Sequence, residues 1–205
     1  LLLLLVGSGF VTKGLDRAIH ALAALPDELL ARTHMLVIGE DNPRQFLRLA
    51  RQLDLAERLT VSKRRDDIPA VMQGADLMVH PAYMESGGMV LVEAVIAGLP
   101  VIATEVCGFG HFITKADAGF LIPEPFDQNV LNAAVRDALN DSAQRAHWSS
   151  CGVTFGQGNE SLFNMPQQAM ALIESCIANN KTRNRAALEA ALIDQETIIG
   201  HEADV

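Results

Sequence analysis

Six short, almost wholly apolar runs, most of them followed by a segment of helical periodicity, restrict this chain to very few folds. The runs are residues 1–6, 34–38, 58–61, 77–80, 101–103 and 120–122. They lack the polar alternation of a half-solvated strand, so they are predicted to be strands buried on both faces. Residues 15–25 carry Leu15, Ala18, Ile19 and Leu22 at helical spacing, and residues 43–53 open with Pro43 and repeat Phe46, Leu49, Ala50 and Leu53. Residues 67–73, 89–97 and 128–139 are the other expected crossover helices. Strands alternating with crossover helices predict an α/β class: a Rossmann-like, doubly wound parallel sheet flanked by helices. Ligands of such sheets sit at the carboxyl ends of the strands.

After Asn140 the strand signals stop. Helical patterns near 143–149, 166–177 and 185–199, with a polar stretch at 179–184, predict a helical C-terminal extension. The expected division is a binding domain over 1–178 and a tail over 179–205. The apolar run 1–6 is too short, and has the wrong flanks, for a signal peptide. Because the chain starts on a core strand without Met, it is expected to be a piece of a longer protein.

A net charge of -9 opposes nucleic-acid binding, which needs a basic surface, and gives no support for docking on an anionic membrane. An anionic ligand must then be held by local dipoles and a few cations. Cys107, Cys151 and Cys176 form no CxxC pair, and their odd number fits a reducing, cytoplasmic setting. All three are expected to be core or near-core thiols.

Three strand-to-loop junctions are richer in Gly and polar residues than a core requires. In the first, Gly7-Ser8-Gly9-Phe10-Val11-Thr12-Lys13-Gly14, a Gly-containing turn opens a helix, which presents amides and a positive dipole end to an anion. Lys13 is either a ligand cation or a solvated loop lysine. The second holds Glu85, Ser86, Gly87, Gly88 and Met89, where the amides form another helix N-terminus, with Glu93 further along that helix. Glu93 stands among Leu91, Val92, Ala94, Val95 and Ile96, so it is expected either to cap internal amides or to hold a pair of ligand hydroxyls. The third runs from Gly98 to His111, and His111, like His80, is read as a structural, hydrogen-bonding histidine. Lys63, Arg64 and Arg65 form a basic run that is either solvated or turned toward the same loops. There is no DxD triplet, no His/Cys/carboxylate spacing for a metal, and no GxSxG elbow.

Glu85 and Glu93 form an E-x7-E pair. With Ala75-Asp76-Leu77, His80-Pro81 and Ala97-Gly98-Leu99-Pro100-Val101-Ile102-Ala103, it resembles the retaining glycosyltransferases of family 4, whose GT-B fold pairs two Rossmann-like domains. The likeness runs from about Leu1 to Ile177. Val6-Gly7-Ser8, Lys13-Gly14-Leu15-Asp16-Arg17 and Val106-Cys107-Gly108-Phe109 are similar to a branch that glucosylates the lipopolysaccharide core. The resemblance implies the C-terminal, donor-binding half of such an enzyme, taking a hexose from a UDP-sugar such as UDP-glucose. It also implies that the N-terminal acceptor domain is absent, that the acceptor is a lipopolysaccharide core, and that the full enzyme is cytoplasmic or peripheral at the inner membrane face.

The same resemblance implies roles for single residues. Lys13 contacts the donor diphosphate, Glu85 the sugar hydroxyls and Glu93 the ribose hydroxyls, with the 86–89 amides and Gly7 around them. Glu85 and Lys13 form the catalytic set, and no metal or other cofactor is implied. Two positions depart from the pattern: Ser8 stands where most of the family has Arg, and Arg64 where Gly is usual. Arg64 either replaces the missing charge or blocks part of the pocket. The competing expectation is a non-catalytic sugar-nucleotide-binding or scaffold domain. An oxidoreductase or epimerase, for which Glu40 is suitably placed, fails on the missing GxGxxG.

Overall fold

The computed structural model describes residues 1–158, 170 and 173–177. Its six strands are β1 (Leu2–Val6), β2 (His34–Ile38), β3 (Leu59–Ser62), β4 (Leu77–His80), β5 (Val101–Thr104) and β6 (Gly119–Ile122). They form one parallel sheet in the order β3-β2-β1-β4-β5-β6. The helices are α1 (Leu15–Ala23), α2 (Asp27–Leu30), α3 (Arg44–Gln52), α4 (Ile68–Gly74), α5 (Met89–Ile96), α6 (Gly110–Ala116), α7 (Gln128–Asn140) and α8 (Ser142–Gly158).

Period-two alternation within the apolar strands splits the core into two layers. Leu3, Leu5, Met35, Val37, Leu77, Val79 and Ile102 pack under α1, α3 and α7. Leu4, Ile38, Met78, Val101 and Ala103 pack under α4, α5 and α6. Both faces are covered, which is why the strands read as continuous apolar runs. The chain winds outward from β1 to β3 and then restarts at β4, beside β1. The crevice between the carboxyl ends of β1 and β4 is thus the topological switch point, where ligands of open α/β sheets sit.

The structure departs from the sequence reading in its helices. α2, a 3-10 turn at Ala56–Arg58, and α6 were not expected, and α8 runs to Gly158 rather than ending near residue 149. α8 packs on α5 through Gly152 and Gly156, so closely that a Cβ on Gly152 would stand 2.4 Å from the Val95 carbonyl oxygen. The chain divides into two compact units, Leu1–Gly158 and Asn159–Val205. The expected boundary at 178, the 185–199 helix and most of the 166–177 helix lie outside the described residues. No helix among the described residues is long and apolar enough to cross a membrane.

Candidate functional site

At the switch point a cleft of about 440 Å³ is lined by Val6, Gly7, Ser8, Lys13, Ile68, Glu85, Gly88, Met89, Val90 and Glu93. The β1–α1 and β4–α5 loops form it by locking together. Tyr83 N donates to Thr12 O at 2.8 Å, and Gly14 lies against Pro81. Gly14 is required there: it caps α1 in the left-handed region (φ 71), and any Cβ would stand 2.1 Å from the Pro81 carbonyl oxygen. From the other side, Thr104 Oγ1 at the end of β5 donates to Ala82 O at 2.8 Å, and Gly108 N donates to Glu85 O at 3.0 Å.

Lys13 and Glu85, 72 residues apart in sequence, meet in this cleft as an ion pair between Nζ and Oε2. Their side chains are only 19% and 11% exposed, so water screens the pair weakly. Lys13 is the cation of the lining. Arg17, the nearest rival in sequence, is fully engaged elsewhere. Its guanidinium is stacked between Tyr83 and Phe126, 3.5 and 3.6 Å from the ring centroids, and donates to the Pro81 and Ala82 carbonyls.

His80 lies beneath the pair and is completely buried. It caps no carbonyl, contrary to expectation: neither ring nitrogen has a hydrogen-bond partner among the described residues, although Nε2 stands 3.4 Å from Glu85 Oε2. Burial, reinforced by the charge of Lys13, holds its pKa down at about 4. The ring is therefore neutral at pH 7, and its approach to Glu85 is not an ion pair.

The backbone amides behave differently in the two loops. Gly88 caps α5 in the left-handed region (φ 96), and the amides of Gly88, Met89 and Val90 have no acceptor among the described residues. In the same loop Gly87 N donates to Glu85 Oε1 at 3.4 Å, and in the first loop Gly9 N and Phe10 N both donate to Asp41 Oδ2, so carboxylates of the chain itself take several amides expected to face a ligand anion. Asp41 was missed from sequence; its place just beyond β2, facing a Gly-rich turn, was the available signal. Ser8 Oγ accepts from Glu40 N at 3.2 Å, a further tie between the ends of β1 and β2.

Glu93 is exposed, not embedded, and makes no hydrogen bond to an internal amide among the described residues. Leu91, Val92, Ala94 and Val95 are buried, while Val90 and Glu93, one turn apart, face the cleft. The capping alternative thus has no support, and the carboxylate is free for a ligand. Ser86 and Gly87 lie in the same loop outside the lining. Arg64 is exposed beyond β3 and is not among the residues lining the cleft, while the neighbouring Arg65 pairs with Asp67. His111 is structural as expected, its Nδ1 lying 2.9 Å from Gly108 O.

Of the cysteines only Cys107 is a core thiol, with burial pushing its pKa up. Cys151 is half-buried and Cys176 exposed. Asp117, His147 and Cys151, which the sequence spacing does not bring out as a set, have ligand atoms within 4.8 Å of one another. A second groove, of about 560 Å³, lies between β6, α7 and α8 around Phe120, Ala134 and Trp148. It is apolar, offers no cation and lies away from the strand carboxyl ends, so the chemistry favours the cleft.

Known proteins share this fold. The family described as "Glycosyl transferases group 1" matches residues 1–152. The lipopolysaccharide glucosyltransferase WaaG of Escherichia coli K12 is 43% identical over 172 residues, which cover 84% of this chain and 46% of WaaG. The crystal structure of WaaG, described as a glycosyltransferase involved in lipopolysaccharide biosynthesis, superposes with a TM-score of 0.81 over the same shares. HepE of Anabaena, solved with UDP-glucose, shares the fold at 23% identity, with a TM-score of 0.71 over 85% of this chain and 48% of its own. The chain thus spans about half the length of the relatives it matches.

Proposed function

This chain belongs to the group 1 glycosyl transferases, and from that premise we propose that it is the donor-binding half of a retaining, metal-independent hexosyltransferase. In this reading it takes glucose from UDP-glucose for a lipopolysaccharide core acceptor, as the name of its relative WaaG suggests. The acceptor site would be supplied by an N-terminal domain across the cleft, so the isolated chain would bind donor but transfer nothing. The full enzyme would work in the cytoplasm or at the inner membrane face.

The observation that carries the reading is the Lys13–Glu85 pair at the switch point, beside the free amides that open α5. A donor diphosphate brings negative charge to Lys13 and to the positive end of α5. Lys13 exchanges Glu85 for phosphate oxygens, and the released carboxylate accepts hydrogen bonds from the sugar hydroxyls. Glu93, exposed along the same wall, accepts from the ribose hydroxyls. As the glycosidic bond breaks, charge builds on the leaving diphosphate, where the lysine and the helix amides are already fixed.

Titrating uridine, UDP and UDP-glucose against Glu93→Gln and Glu85→Gln tests these roles. Glu93→Gln should weaken all three by about 1.5–3 kcal/mol, the worth of a hydrogen bond to a charged group. Glu85→Gln frees Lys13, so UDP affinity should hold or rise while the added affinity from glucose falls. Equal losses for UDP and UDP-glucose would refute the role of Glu85, and absence of UDP binding in the unmutated chain would leave the scaffold alternative standing.

A further inference from the structure

We propose that Asp117, His147 and Cys151 form a binding site for one divalent cation of the zinc class. The site is separate from the donor cleft, since none of the three lines it. His147 and Cys151 stand four residues apart on α8, so their side chains project side by side from consecutive turns. Asp117 reaches them from the turn between α6 and β6. The three ligand atoms all lie within 4.8 Å of one another. His147 Nε2 is 2.8 Å from Asp117 Oδ2 and 3.7 Å from Cys151 Sγ.

The His–Asp and His–Cys separations are close to those a tetrahedral ion imposes, and the Asp–Cys pair, within 4.8 Å, has at most about 1.2 Å to close. Zinc bonds of about 2.0–2.2 Å to nitrogen and oxygen and about 2.3 Å to sulfur put neighbouring ligand atoms roughly 3.3–3.6 Å apart. The His–Asp contact must open, and the His–Cys contact close, by about half an ångström or less. His147 and Asp117 are more than half exposed, which gives them that freedom and gives an ion access. The donor set selects the metal: thiolate and imidazole suit zinc-class ions, whereas magnesium and calcium require oxygen ligands. Three protein ligands leave a fourth position for water. On binding, the Cys151 thiol releases its proton to solvent and the imidazole turns a lone pair to the ion. The bound ion ties α8 to the α6–β6 turn, reinforcing the close glycine contact that holds α8 to α5.

The full 205-residue chain, reduced and freed of metal with a chelator, is titrated with Co²⁺ as the probe and then with Zn²⁺ in competition. The site predicts one equivalent of tetrahedral cobalt with a thiolate-to-cobalt charge-transfer band, displaced by zinc. Cys151→Ser should abolish the band, whereas Cys107→Ser and Cys176→Ser should keep it. His147→Ala and Asp117→Asn should lower the affinity by more than the roughly 10–100-fold typical of disturbing only an outer-shell partner. Zinc should raise the melting temperature of the unmutated chain but not of Cys151→Ser, and UDP affinity should not change with zinc. No charge-transfer band, or a band that survives Cys151→Ser, would overturn the proposal.

Discussion

Replacing His80 by glutamine should remove a large part of the acid sensitivity of this fold. The imidazole is fully buried, has no hydrogen-bond partner among the described residues and has its pKa held down at about 4, against an ordinary value of 6.5 that the unfolded chain restores. Between those values the unfolded state binds a proton that the folded state refuses. The stability conferred by the neutral ring is therefore intact above pH 6.5 and lost as pH falls toward 4. At about 1.4 kcal/mol per pKa unit the whole loss is roughly 3 kcal/mol, most of it developed by pH 4.5.

Urea unfolding of both proteins at a series of pH values measures this directly. Exposed carboxylates titrate alike in the two, so the gap between the curves isolates His80. The glutamine side chain does not titrate, whereas the unmutated chain should lose the extra stability as the pH falls from 7 to 4.5. Any constant cost of the altered side chain cancels in that comparison. Lys13→Met offers a control, because its charge is the lesser cause of the shift and its removal should move the window upward toward 6.5. Parallel stability curves for His80→Gln and the unmutated chain would refute the reasoning.

Lys13→Ala should weaken UDP by about 1–3 kcal/mol while leaving uridine unchanged, and calorimetric titration of both ligands checks it. Gly152→Ala should destabilise by about 1–3 kcal/mol despite the better helix propensity of Ala, because the new methyl meets the Val95 carbonyl; Gly158→Ala, with open space around it, should be neutral within error in chemical denaturation. Asp41→Ala should cost about 1.5–3 kcal/mol by orphaning the Gly9 and Phe10 amides, and thermal unfolding read with and without UDP shows whether the loop then loses affinity as well.

The sheet was legible because both its faces are covered. Leu3 and Leu5 serve one layer and Leu4 the other, leaving no polar position to interrupt the run. α6 was not legible: it is one short segment opening on Gly110, with only Ile113 and Ala116 buried as apolar markers. α8 was cut short because Gly152 and Gly156, which carry its packing, register on no hydropathy pattern. Glu93 shows a limit of reading neighbours along the chain. Its sequence flanks are apolar, yet a helix turns about 100° per residue and sets it on the strip between buried Val92 and Ala94 that faces the cleft. The loops around Lys13 and Glu85 were marked from their Gly content, but their ion pair required the topology, which returns β4 to the side of β1 across 72 residues.

If the proposed roles of Lys13 and Glu85 hold, that pair would make recognition of the two halves of a sugar nucleotide interdependent. The chain is acidic overall, and the one cation of the cleft lining is already matched by Glu85. A bare diphosphate that captured Lys13 would leave the mostly buried Glu85 without its counter-charge, held by the long Gly87 amide contact and beside a neutral imidazole that is not aligned to hydrogen-bond to it. Leaving a buried charge without a partner offsets much of what the phosphate gains. A ligand that also brings hydroxyls to Glu85 removes this penalty. On the proposed assignment the cleft would favour the intact donor over the diphosphate it becomes once its sugar has left, and Glu85 would reclaim Lys13 as the diphosphate departs.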